Sequence, residues 1–193
     1  MMKFNGVLII LLLSSGMLFA QNDYEREHRI RKSQFPTLQN DLLLIGQNTK
    51  QIRYYKEVDS LEITFFLKFK KDRLNYLLSY NESGQLKESG FRIHEIDIPE
   101  DTFSKIDAYL SHTFEKTRIK RIFQLYPVTN SQSTKSVLNN TFQNLILPTN
   151  IYRLIIVGKK DNKNIENDLW FDAAGNFIRK RQALPLNHDR ILY

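Results

Sequence analysis

Acidic residues gather between positions 161 and 172, where they could be interpreted as a cation site. They are Asp161, Glu166, Asp168 and Asp172. The segment Asp161-Asn-Lys-Asn-Ile-Glu166 places a lysine at its third position and lacks the glycine that an EF-hand loop requires. Asp172 stands in Phe171-Asp-Ala-Ala-Gly175, where an aspartate typically forms a turn. We therefore predict polar hairpin loops here and no metal site.

The histidines do not form a catalytic or metal-binding pattern. They stand at positions 28, 94, 112 and 188, and none is paired at metal-ligand spacing. His94-Glu95 lacks the second histidine of a zinc protease motif, and no nucleophile elbow, phosphate loop or dinucleotide fingerprint is present. The chain contains no cysteine, which excludes thiol catalysis, cysteine metal sites and disulfides. The sequence predicts a protein without catalytic residues or cofactors. A hydrolase whose catalytic groups converge from distant positions is the alternative.

The N-terminus is typical of an export signal. Lys3 precedes the apolar run Val7 to Leu13, and the segment ends in Leu-Phe-Ala20. This pattern predicts a signal peptide over residues 1–20 with cleavage near Ala20. The apolar run is shorter than the ~20 residues that span a bilayer, so we expect no transmembrane segment in the mature chain. We expect a periplasmic or secreted protein that is not lipid-anchored, because a cysteine anchor is impossible.

Composition indicates a packed and basic protein. The 193 residues suffice for one medium domain or two small ones, and 41% hydrophobic residues support a core. The formal charge is +7 and falls by one when Lys3 leaves with the signal peptide. A basic exported protein can meet acidic proteins, anionic glycans or lipid headgroups. Nucleic acid is not an expected partner, because export separates the protein from most of it.

The spacing of apolar residues along the chain predicts two helices and a series of strands. One helix is predicted from Phe35-Pro36 to Gly46, and a second from Pro99 to Phe114. Residues 23–32 are expected to form a solvated helix or an arm. In the strand over 61–70, Phe65 and the other odd-numbered residues should point toward the core, and Phe66 and Lys68 toward solvent. The other predicted strands are 52–58, 74–80, 86–98, 119–126, 151–157, 168–172 and 176–181.

The chain repeats itself around two glycine turns. With Gly84 aligned to Gly175, Tyr80 matches Phe171 and Leu86 matches Phe177. We therefore predict an α+β fold of two tandem repeats, each a helix followed by an antiparallel meander, with the helices on one face of the sheet. The predicted domains are a first repeat over 21–98, a second repeat over 99–183 with an insertion at 127–150, and a tail over 184–193.

This arrangement resembles the PepSY-like proteins of bacterial envelopes, whose tandem form has the fold of beta-lactamase inhibitor protein. The residues that carry the resemblance are the signal peptide, the Phe35-Pro36 helix, the Ile52 to Tyr55 strand and the two glycine turns. The resemblance implies a noncatalytic role in binding or restraining other envelope proteins, peptidases among them. The chain departs from the pattern at the 127–150 insertion and at Asn81, where an aspartate is usual.

Basic clusters and aromatic side chains supply the candidate binding residues. These are Tyr55, Phe66, Lys68, Lys70, Arg73, Lys159, Lys160, Arg179 and Arg181. The other interpretation is that the lysines protect sheet edges and that most of the aromatic residues are core. We expect a binding protein that contacts or restrains an envelope protein such as a peptidase through the solvated sheet face, with the 127–150 insertion at its rim. The alternatives are a sensor or carrier of an anionic glycan or lipid headgroup, and an uncharacterised hydrolase.

Overall fold

The computed structural model describes residues 26–36, 45–46, 48–59, 62–129 and 132–182. Within these ranges, nine strands form one sheet in chain order, and each strand is antiparallel to the next. The elements are β1 (Arg26–Ile30), β2 (Lys50–Val58), β3 (Ile63–Lys71), β4 (Leu74–Tyr80), β5 (Leu86–Ile93), α1 (Glu100–Thr113), β6 (Lys116–Pro127), α2 (Thr134–Phe142), β7 (Ile151–Lys160), β8 (Lys163–Asp172) and β9 (Phe177–Gln182). The predicted signal peptide, most of the Phe35 helix and the tail over 184–193 lie outside the described residues.

The predicted α+β class with one antiparallel sheet is confirmed. Two local predictions are wrong. Residues 26–30, expected to be a helix or an arm, form edge strand β1 against β2, from Arg26 opposite Val58 to Ile30 opposite Tyr54. The carboxylate of Glu27, which the sheet buries, binds the ammonium of Lys68 and is thereby neutralised. β5 ends at Ile93, so Ile96 does not continue the strand and is 91% exposed in a short 3-10 turn.

The main core lies between one face of the sheet and the two helices. Helix α1 begins after Pro99 with acidic residues in its first turn, as the helix dipole favours, and it buries Ile106 and Leu110. Helix α2 buries Val137 and Leu138 in the same core. The sheet residues of this core include Leu67, Phe69, Tyr76, Leu78, Tyr152, Leu154, Leu169 and Phe171. Among the described elements, the helices therefore pack on one face of the sheet, as predicted.

The opposite face, which we call the inner face, is closed by curvature of the sheet. In a flat sheet β2 and β9 would lie about 34 Å apart, because seven steps of about 4.8 Å separate them. Yet Nη1 of Arg181 on β9 lies 2.7 Å from Oε1 of Glu57 on β2. Strand twist must therefore accumulate until the first strands face the last ones across the inner face.

This curvature corrects the prediction that one side of β3 is solvated. Thr64 and Phe66 point to the inner face and are buried, with Phe66 only 7% exposed. Lys68 is half-buried and paired with Glu27. Only the ends of the predicted solvated side, Glu62 and Lys70, are exposed. A period-two pattern identifies two faces, but it does not show whether a strongly coiled sheet covers both.

Four of the short connections between strands, all within the described ranges, fall into two matched pairs. The β3–β4 and β7–β8 turns each place two residues at positive φ, Asp72 and Arg73 in the first, Asp161 and Asn162 in the second. Such pairs of left-handed residues are typical of type I′ hairpins. The β4–β5 and β8–β9 turns also match each other. Gly84 and Gly175 have φ values of 77° and 84°. The N–H of each glycine donates to the carbonyl of the first turn residue, Asn81 or Asp172, at a distance of 3.0 Å.

Candidate binding surfaces

The acidic residues of the 161–172 segment are used within the structure. Asp168 is fully buried and forms ion pairs with Arg153 and Arg181, and Glu166 binds Lys120. Asp172 accepts the N–H groups of Ala174 and Asn176 at 2.9 and 2.8 Å, as a turn-forming aspartate does. Burial raises the pKa of Asp172, but these hydrogen bonds outweigh it and hold the pKa below its ordinary value. No group of three or more metal-ligating side chains occurs in the described ranges.

Ion pairs join the two sides of the inner face. Arg181 donates to Glu57 at 2.7 Å, to Asp59 at 3.3 Å and to Asp168 at 3.3 Å, and Arg153 donates to the same Asp168. Burial lowers the pKa of Arg153, but the carboxylates of Asp168 and Glu57 raise it above its ordinary value. Both arginines therefore stay charged, and the network links β2 to β7, β8 and β9.

Trp170 lies beneath this network. The guanidinium of Arg179 is 3.8 Å from the ring centroid, and those of Arg153 and Arg181 are 5.1 and 5.6 Å away. These are cation–π distances, and the tryptophan itself is buried. Arginines of the same chain therefore occupy the space over the ring of Trp170.

Tyr55, Phe66 and Lys68 meet on the other side of the inner face. Tyr55 and Phe66 form a small second core with Leu77, and Tyr55 is only 1% exposed. The ammonium of Lys68 lies 4.3 Å from the centroid of the Tyr55 ring. The exposure expected for the two aromatic residues is therefore corrected. Any contact that they make with a partner would require the inner face to open.

The inner face has little free space in this closed arrangement. Two small cavities remain between its two sides, one of about 50 Å³ lined in part by Phe66, Leu77 and Ile155, and one of about 130 Å³ lined in part by Thr64, Glu88 and Trp170. Both volumes are below the range of about 300–1,000 Å³ that is typical of ligand sites. The described inner face is thus a second core with charged borders.

The remaining predicted residues lie at one end of the sheet. Strands β3 and β7 run in the same direction, so the turns that follow them project from the same end. Lys70, Arg73 and Lys160 are exposed there, and Lys159 lies 3.6 Å from Glu115. The structure therefore divides the nine candidates into two groups. Lys70, Arg73, Lys159 and Lys160 form the end group, and Tyr55, Phe66, Lys68, Arg179 and Arg181 form the inner-face group.

A groove that the sequence did not predict lies beside Arg73. It has a volume of about 470 Å³ and is bordered by the β3–β4 turn, the end of β5 and the loop after α2. The side chains that line it include Arg73, Leu74, Phe91, Arg92, Ile93 and Ile146. Ile146 is 63% exposed. The sequence offered one signal for it, the apolar island Leu145 to Leu147 within an otherwise polar insertion.

Hydrogen bonds fix the loop that carries Ile146. The carbonyl oxygen of Leu145 accepts from Gln124 Nε2 at 3.0 Å, Tyr126 Oη at 2.8 Å and Asn150 Nδ2 at 2.9 Å. Burial raises the pKa of Tyr126, so its hydroxyl remains a donor throughout the physiological range. Asn144 precedes this carbonyl with a φ of 55°, the left-handed conformation that asparagine commonly adopts just after the end of a helix.

The opposite border of the groove is fixed as well. Lys71, next to the β3–β4 turn, donates to the carbonyl of Ile45 at 2.7 Å. Its ammonium lies 4.8 Å from the ring centroid of Phe142 at the end of α2. Asp72 and Arg73 therefore project from an anchored strand end. Both borders of the groove are held in place by contacts of the same chain.

Comparison with known proteins gives limited information. No family model and no curated protein matches the chain. A solved structure, a BLIP-like protein from Bacteroides fragilis, is 9% identical with a TM-score of 0.48, and the match covers 79% of this chain and 90% of that chain. A likeness at this level supports no statement about function. The resemblance to PepSY-like proteins stays a prediction. None of the helices in the described part of the chain is both long enough and apolar enough to span a membrane.

Proposed function

We propose that the protein is an exported, noncatalytic binding protein that contacts or restrains another envelope protein, with peptidases as the class that the PepSY resemblance suggests. One observation carries the proposal. The exposed side chain of Ile146 projects from a fixed loop into a groove that Arg73 and Arg92 also line. An apolar groove that polar residues border is typical of surfaces that bind other molecules.

The proposal includes two tandem PepSY-like repeats over residues 21–98 and 99–183. Support comes from the equivalent geometry of the β3–β4 and β7–β8 turns and of the two glycine turns at Gly84 and Gly175. Helix α2 lies in the 127–150 insertion and belongs to the second repeat alone. Since this insertion distinguishes the two repeats, a specific function is best sought near it.

A capture experiment tests the proposed function. The mature chain, residues 21–193, is immobilised and incubated with an envelope extract of the source bacterium, then treated with a short cross-linker. We expect specific envelope proteins to be retained relative to the same chain unfolded before coupling. Recovery of the same proteins on both resins would refute a folded binding surface. Mass spectrometry of the exported protein checks the export prediction, which requires an N-terminus at Gln21.

The second candidate, a sensor or carrier of an anionic glycan or lipid headgroup, is favoured by one observation, the net charge of +7. Binding to such a ligand would be dominated by charge and would collapse as ionic strength rises. Sedimentation with anionic vesicles over a salt series distinguishes the two functions. Retention of an envelope protein at high salt together with no vesicle binding supports the first.

A further inference from the structure

The groove beside Ile146 combines apolar contact with positive charge. Leu74, Phe91 and Ile93 provide its apolar lining, and Ile146 projects from the loop after α2. Its volume of about 470 Å³ falls within the range of about 300–1,000 Å³ that is typical of ligand sites. Binding of an apolar side chain in such a groove is favourable, because it removes apolar surface from water.

The charged side chains around the groove indicate which kind of ligand it binds. A second depression shares Arg73 with it and is lined by Lys50, Lys70 and Asp72. Over both depressions the cations Lys50, Lys70, Arg73 and Arg92 outnumber the acids Asp72 and Asp97.

The acidic and the basic side chains of this surface differ in their interactions within the chain. Asp97 already accepts the N–H of His94 at 2.8 Å. Within the described residues, none of the ion pairs involves Arg73 or Arg92. The surface therefore favours a ligand that carries carboxylates as well as aliphatic groups.

We propose that this groove binds an acidic, aliphatic-containing linear segment of the partner protein. One aliphatic side chain packs against Ile146 and the half-buried Leu74, and neighbouring carboxylates pair with Arg73 and Arg92. The proposal rests on the proposed function, since it names the part of the partner that the protein recognises. Because both borders are anchored, by Lys71 and by the Leu145 carbonyl, little ordering is needed on binding, which favours affinity.

The chain itself suggests the variants for a test. Arg73→Asn removes the cation and reproduces the β7–β8 turn, where Asn162 holds the equivalent left-handed position at a φ of 60°. Ile146→Asp removes the aliphatic contact at an exposed site. The matched controls are Lys163→Asn, at an exposed lysine beside the other turn, and Ile178→Asp, at an exposed isoleucine of β9. Thermal unfolding followed by circular dichroism confirms that all four variants fold.

A displayed library of random linear peptides is selected on the full mature chain, and the enriched peptides are synthesised. We expect enrichment of Asp and Glu next to Leu, Ile or Val. Each groove variant should bind these peptides about tenfold more weakly, while the controls bind within about twofold. Enriched peptides that are not acidic, no enrichment at all, or binding unaffected by both groove variants would overturn the proposal.

Parallel measurements separate this proposal from others. If phosphatidylglycerol vesicles or heparin bind in a manner that Arg73→Asn abolishes and Ile146→Asp does not change, the site recognises charge alone and the peptide proposal is wrong. If the envelope partner is captured equally by wild type and both groove variants, the groove proposal fails and the proposed function stands. If wild type captures no partner while the groove variants still lose peptide binding, the proposed function fails instead.

Discussion

The two glycine turns allow one substitution to be tested in matched surroundings. Gly84 and Gly175 have φ values of 77° and 84°, so alanine strains the backbone equally at both positions. Their environments differ. A Cβ on Gly175 would lie 2.5 Å from the carbonyl oxygen of Thr102 in α1, and the Thr102 hydroxyl donates to the carbonyl of Ala173 at 3.0 Å. The second turn is thus docked on α1.

The expected destabilisation follows from these contacts. A left-handed alanine costs about 1–2 kcal/mol, partly offset by about 0.4–1 kcal/mol from the more restricted unfolded chain. Gly84→Ala should therefore lower the free energy of unfolding by about 1 kcal/mol. Gly175→Ala adds about 1–3 kcal/mol for the steric overlap and about 1 kcal/mol for the Thr102 hydrogen bond. The difference of about 3 kcal/mol corresponds to about 6–12 °C in Tm.

Urea denaturation of the mature chain measures this difference. Trp170 is the single tryptophan and is buried, so its fluorescence reports unfolding of the inner face, with circular dichroism as a second probe. Both variants should retain the m-value of wild type. If their free energies of unfolding agree within about 0.5 kcal/mol, α1 does not restrain the second turn, and the reasoning is refuted.

Three further changes test the inner face and the groove. Arg181→Ala leaves Glu57 without its partner and should cost about 3–5 kcal/mol in urea denaturation, whereas Lys160→Ala, at an exposed site, should cost under about 0.5 kcal/mol. Burial raises the pKa of Glu88 against the opposing charges of Arg153, Lys87 and Arg179, so the native state binds this proton more tightly than the unfolded state. Stability should therefore fall as pH rises from about 4.5 through the folded pKa, and Glu88→Gln should remove that fall. Tyr126→Phe removes a donor to the Leu145 carbonyl and should cost about 1 kcal/mol while weakening peptide binding at the groove.

Specific outcomes would contradict these expectations. A loss below about 1 kcal/mol for Arg181→Ala would mean that the two sides of the inner face are not joined as described. If the free energies of unfolding of wild type and Glu88→Gln depend on pH in the same way, the pKa of Glu88 is not raised by burial. Unchanged groove binding in Tyr126→Phe would show that the Leu145 carbonyl does not position Ile146.

Local chemistry explains what sequence reasoning predicted well. Turns depend on a few adjacent residues, so Gly84 and Gly175 identified both corners, and the alternation in β3 identified a strand. Helix α1 carries its own start signal in Pro99 and its own apolar spacing. The class of the fold followed from these elements, because successive strands joined by tight turns must be antiparallel.

The sequence by itself thus determined eight of the nine described strands, the turns at Gly84 and Gly175, α1 and the basic charge. Only the tertiary structure decided which side chains are exposed to solvent. Arg181 and Glu57 are 124 positions apart and meet because twist accumulates over the whole sheet, which buries Phe66 and Tyr55 on a face that alternation alone marks as solvated. Ile146 stays exposed for a similar reason, since the donors that fix its loop come from β6 and from Asn150. Accessibility depends on such long-range contacts, so the candidate site is not the predicted sheet face but a groove between the β3–β4 turn, the end of β5 and the loop after α2.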